Sequence, residues 1–153
     1  MARTRLVILD ADMLAGWRRA TPSLAQLWDA VGALRADHGD VEVAIVADAS
    51  LKWALDSAER DQIDNEVGEG LLAYAPAGCA GGYAGFLEAV SNRASSGGYA
   101  PVLITDRSIP GVSLGKVMRQ KDAWVFDLEG RTAPTAPAAS SGTRRRRGRA
   151  NGS

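Results

Sequence analysis

The sequence predicts a three-layer α/β/α domain with a mostly parallel central sheet over residues 1–130, followed by a disordered basic tail over residues 131–153. Three observations predict it. Apolar runs of strand length alternate with amphipathic segments of helical period. Several of these runs are continuous rather than alternating in polarity, as strands covered on both faces are. The tail contains Pro, Ala, Ser, Gly and Arg but no large apolar side chain, so it has nothing to offset the entropy of ordering.

The elements follow in order. "RLVILDAD" reads as a central parallel strand. In "TPSLAQLWDAVGALRADHG", Thr21 can cap a helix and Pro22 suits its first position, while Leu24, Leu27, Trp28, Val31 and Leu34 make one apolar stripe. Gly39 ends it. "VEVAIVAD" is a second strand, and "LKWALDSAERDQIDNEVGEG" contains a helix with Leu55, Ile63 and Val67 on one face. "LLAYAPAG" is a third strand, "YAGFLEAVSNRAS" a helix with Phe86, Leu87, Val90 and Ala94 inward, and "APVLITD" a fourth strand. A short helix from Leu114 to Gln120 and a last strand in "AWVFDLEG" complete the set. Strands alternating with helices give the parallel sheet.

A chain of 153 residues, 46% of them hydrophobic, can bury one core. The lone cysteine, Cys79, excludes an internal disulfide and cysteine-built zinc sites, which suits a reducing cytoplasm. No apolar run approaches the roughly 18 residues that span a bilayer, and Met-Ala-Arg-Thr-Arg followed by only four apolar residues is too short for a secretory signal. A soluble, cytoplasmic protein without a membrane partner is expected. The net charge of zero conceals an asymmetry, because residues 1–130 carry 12 Lys and Arg against 18 Asp and Glu. The tail holds the remaining six arginines, among them Arg144, Arg145, Arg146, Arg147 and Arg149, and no acid. Such a cluster attracts phosphate backbones without reading sequence, although a solvating tail has the same composition.

In open parallel sheets, ligands bind beyond the carboxyl ends of the strands at the switch in strand order. Three strands here end in aspartate: Asp10 with Asp12, then Asp48, then Asp106. Each alone also reads as a helix cap. Gathered at one edge they repel and raise one another's pKa unless a hard cation, Mg²⁺ or Mn²⁺, neutralises them. A metal-activated water attacking a phosphodiester or phosphomonoester is the reaction such a site supports.

The stretches "LVILDADML", "IVADASLKW", "AERDQIDNEV", "YAPAGCAGGYAGFLEAV" and "VLITDRSIPG" resemble, in this order, the PIN-like nuclease domains, in particular the NYN branch to which Regnase-type ribonucleases belong. The resemblance covers roughly residues 3–112. It implies a set of acids that binds divalent metal and cuts RNA, with Asp10, Asp48 and Asp106 catalytic and Asp10, Asp12 and Asp106 on the metal; Asp61 is a more distant assistant. Two departures are plain. Gly82 stands where the family places an acid, with Ala84 and Gly85 beside it, and Glu88 follows almost two helical turns later. Ile104 and Thr105 replace the usual Ser-Asn, although the Thr105 hydroxyl can still bond a water. Either the site works with fewer ligands, or the domain has kept the fold and lost the cutting, leaving a module that binds nucleic acid or protein.

Lys52, Trp53 and Arg107 flank the acids and suit phosphate or base contacts, so single-stranded RNA is the implied partner, with a homodimer a compatible assembly. "ILDADML" also resembles the first motif of haloacid dehalogenase-like phosphatases, which would make Asp10 a nucleophile and Asp12 its acid/base, with Lys116 or Lys121 as the lysine. Against it, Met13 departs from that motif and no late acidic pair precedes "WVFDLEG". His38 reads as a surface residue, Cys79 as incidental, and Trp17, Trp28 and Trp124 as core or partner contacts. The glycines Gly78, Gly81, Gly82 and Gly85 do not match a dinucleotide fingerprint and read as a loop.

Overall fold

A computed structural model describes residues 3–132, so the tail arginines Arg144, Arg145, Arg146 and Arg147 lie outside the described residues. Six strands, β1 (Arg5–Asp10), β2 (Glu42–Ala47), β3 (Ala73–Tyr74), β4 (Ala100–Ile104), β5 (Ser113–Gln120) and β6 (Ala123–Thr132), form one sheet in the order β3-β2-β1-β4-β5-β6. All neighbours are parallel except β5 and β6, which form an antiparallel hairpin. The helices are α1 (Ala11–Ala15), α2 (Leu24–Asp37), α3 (Leu51–Ala54), α4 (Ser57–Gly68) and α5 (Gly82–Ser96). The expected α/β architecture with a mostly parallel sheet is what the chain adopts.

Helices cover both faces, and the alternation of side chains along a strand assigns each residue to one of them. On β1, Val7 and Leu9 enter the larger core with Leu14, Leu27, Leu34 and Ile63, whereas Ile8 enters the smaller core under α5 with Leu87 and Leu103. By the same period Asp10 belongs with Ile8, on the α5 side. Each face of this central strand is buried, which is why its sequence is apolar without interruption.

Several elements depart from the expected reading. The cap of α2 is Ser23, whose side chain accepts from the backbone N–H of Gln26, so the helix begins at Leu24 and not at Pro22. The segment 51–70 breaks into two helices because Asp56, in extended conformation, caps α4 anew. The third strand shrinks to two residues. His38 is half-buried, its Nε2 lying 3.3 Å from the Phe126 carbonyl. Trp124 is buried, its indole N–H donating to Asp29 at 3.3 Å and its ring meeting Trp17 edge-on at 5.7 Å.

The largest correction concerns residues 114–120, which form strand β5 and no helix. Gly115 makes this possible: a Cβ there would lie 2.6 Å from Ile104 Cδ1 and 2.8 Å from the Asp127 carbonyl. β4 pairs with β5 through Leu103 and Leu114 alone, so the rest of β5, with β6, runs past the carboxyl edge of β4. A projecting hairpin therefore flanks the edge where the aspartates lie.

Candidate active site at the carboxyl edge of the sheet

From β1 the chain winds outward to β2 and β3, then returns across α5 to β4 on the other side of β1. The switch in strand order falls between β1 and β4, where a crevice is expected. Asp10 ends β1 at this point and is 1% exposed. Its Oδ1 accepts from the Asp12 and Met13 backbone N–H groups at 3.1 and 3.4 Å, capping α1. The Tyr83 hydroxyl lies 2.8 Å from the same oxygen and also 3.0 Å from the Val46 carbonyl. Oδ2 accepts from Thr105 Oγ1 at 2.7 Å. This last contact follows from register, because Leu9 pairs with Ile104 and the next step places Thr105 beside Asp10.

Tyr83 lies in the first turn of α5 and is buried. Burial, then the charges of Asp10 and Asp12, push its phenol far above the usual range, so it remains a donor. Sequence reasoning overlooked it; the signal was a tyrosine directly after Gly82, at the helix start facing the strand tips. Gly85 lets this helix begin so close to the loop before it, since a Cβ there would lie 1.9 Å from the Ala80 carbonyl.

Asp12 stands in the first turn of α1, half-buried, and its Oδ1 accepts from the Asp48 backbone N–H at 2.8 Å. Burial, and then repulsion from Asp10 and Asp48, raise its pKa to about 7, against the lowering effect of that hydrogen bond and of Arg107. Asp48 is half-buried and turns one oxygen back to the Ser50 N–H at 3.2 Å. The Arg107 guanidinium lies 4.9 Å from the Tyr83 ring centroid, at the exposed rim.

The other expected site residues sit apart. Asp106 is exposed and lines a neighbouring cavity of about 230 Å³ with Met13, Trp17 and Lys116. Among the described residues no three or more His, Cys, Asp or Glu side chains converge as a metal cluster, so Asp10, Asp12 and Asp106 do not form the expected ligand set. Register explains this, because Thr105 and not Asp106 takes the place opposite Asp10. Lys52 is tied to Asp64 at 2.6 Å and lies over the Trp53 ring; its hydrogen bond, and then its charge, hold the Asp64 carboxyl below the usual range. Asp61 and Glu88 are exposed on α4 and α5, and Gly82 opens α5 without a carboxylate.

Asp12 is the carboxylate on which the charges of both Asp10 and Asp48 act. Mg²⁺ keeps several waters and takes one or two protein carboxylates together with substrate phosphate, so a sparse set suffices for it. The first oxygen of Asp12 is taken by the Asp48 N–H, and its second, whose charge is opposed by Asp10 and Asp48, fits such a cation.

No family model matches this chain, and no match is found among curated proteins. Among solved structures the chain is similar to nuclear proteinaceous RNase P 2 (PRORP2) from A. thaliana, with a TM-score of 0.58 at 12% identity. The likeness covers 81% of this chain but 30% of that one, and it is a likeness of fold.

Proposed function

We propose that this is a PIN-like, nuclease-type domain that hydrolyses phosphodiester bonds of single-stranded RNA, with Mg²⁺ or Mn²⁺ held by a reduced set of acids. Asp12 carries the reading: a half-buried carboxylate with two like charges beside it, placed at the sheet's topological switch. The fold likeness to an RNase P protein supports it. The bound cation would activate water and stabilise charge developing on a phosphoryl oxygen. Asp12 would hold it, beside the fixed charge of Asp10. Tyr83 and Thr105 fix the Asp10 carboxylate in one orientation, and the second oxygen of Asp48 is free to accept a proton from water. Arg107, exposed at the rim, offers a cation to a non-bridging phosphate oxygen. The tail arginines add affinity without sequence preference.

A second reading is favoured by two observations. Asp10 already takes four donors, and Gly82 supplies no acid, as in a domain that binds nucleic acid without cutting it. The phosphatase reading loses support, because an aspartate 1% exposed, with donors on both oxygens, is not placed to attack phosphorus. Incubating the full chain with single-stranded RNA and Mn²⁺ separates the first two. Cleavage should fall at least about 100-fold in Asp12→Asn, while Asp106→Asn retains most of it. RNA binding with no cleavage in either metal selects the second reading.

A further inference from the structure

We infer that the nucleic-acid backbone approaches the acids along a basic groove between the segment after α1 and the β5–β6 hairpin, formed by Arg18, Arg19, Arg119 and Lys121. The inference rests on the nuclease-type reading for the direction of the strand, and it names a binding site separate from Lys52, Arg107 and the tail.

Four cations from two distant stretches of chain line one cavity of about 420 Å³, in which Asp122 is the only acid among the described residues. The domain around it is acidic, with 12 Lys and Arg against 18 Asp and Glu in residues 1–130. Among the described residues none of the four makes a salt bridge. Four cations against Asp122, with Asp29 beside Arg19 and Arg119 in the adjoining cavity, leave an excess of positive charge whose repulsion a polyanion relieves. Two of the four also hold conformations that favour glycine, Arg18 at φ 53° and Lys121 at φ 49°. Basic side chains stand where glycine would be relaxed. Arg119 is laid over the Trp124 ring at 4.4 Å, which limits the freedom its guanidinium loses on binding.

The groove leads somewhere. Trp17 walls both this cavity and the neighbouring one that Met118, Thr105 and Asp106 line. Met118 is 44% exposed on β5, and Thr105 is hydrogen-bonded to Asp10. Phosphates on the four cations and a base against Trp17 and Met118 bring the next phosphodiester towards Asp12. Base stacking on an aromatic wall tolerates any sequence.

The test measures anisotropy of a labelled single-stranded oligoribonucleotide with the full chain in EDTA, where metal-dependent cleavage cannot intervene. Arg18→Gly with Lys121→Gly should weaken binding about tenfold near 0.1 M salt and reduce the log–log salt slope by about 1.4, that is about 0.7 per lost contact. The melting temperature should hold or rise, because glycine relaxes both positions. A second pair, Arg19→Gln with Arg119→Gln, should weaken binding similarly. The same measurements in a chain with Arg144, Arg145, Arg146 and Arg147 changed to Gln isolate the groove from the tail. Unchanged affinity and slope in both pairs overturn the proposal, as does polyglutamate competing as well as RNA of equal charge. Loss of binding in the pairs, with no metal-dependent cleavage by the parent chain, upholds the groove and removes the hydrolytic reading.

Discussion

Asp10→Ala should lower the unfolding free energy by about 3–5 kcal/mol, a large part of the 5–15 kcal/mol typical of a domain. The methyl group leaves the Thr105 hydroxyl and the two α1 N–H groups without their acceptor in a site 1% exposed, and leaves the Tyr83 hydroxyl the Val46 carbonyl alone. Orphaned buried donors cost about 1–3 kcal/mol each, and partial rearrangement keeps the sum below the full total. Asp10→Asn behaves differently. Its carbonyl oxygen can still accept from Tyr83 and the helix cap, while its amide donates to Thr105 Oγ1, so about 1 kcal/mol should be lost. Urea unfolding of both variants checks this. Equal losses would mean that the hydrogen bonds around Asp10 are not what holds the strand tip.

Stability should fall by about 2–4 kcal/mol as pH rises from 4 to 8, with Asp12 as the cause. Its folded pKa of about 7 lies above the unfolded value near 3.9, so the native state holds the extra proton between these limits. Stability is therefore greatest below the unfolded pKa and is lost as pH passes through the folded one. The lower end of the range allows for the water that reaches a half-buried side chain. Asp10, Asp48 and Arg107 are the charged groups that act on it, and Asp64, whose pKa is lowered by Lys52, changes charge below this window. Asp12→Asn should flatten the profile between pH 5 and 8 and exceed the parent at pH 8. A parent whose stability rises over that interval contradicts the account.

How much of this was legible in the sequence depended on whether a feature was local. The uninterrupted apolar run of β1 announced a strand buried on both sides, and its terminal Asp10 therefore had to lie at a sheet edge. Pairing register is not local. One residue's slip decides whether Thr105 or Asp106 meets Asp10, and nothing in "VLITDR" reports that Leu9 pairs with Ile104. The strand at 113–120 hid for a related reason: its alternation is carried by Lys116, Met118 and Gln120 on an exposed side, with a glycine and a bulge at its start. Tyr83 was hidden because its partner lies 73 residues away.

The central claim is that Asp12, opposed by Asp10 and Asp48, takes a hard divalent cation. Thermal unfolding at pH 8 with and without millimolar Mg²⁺ tests it without requiring activity. The account predicts stabilisation in the parent chain that grows with the logarithm of free Mg²⁺ above its dissociation constant, by about 1.4 kcal/mol per decade, and that disappears in Asp12→Asn. No shift in the parent, or an equal shift in Asp12→Asn, would contradict it.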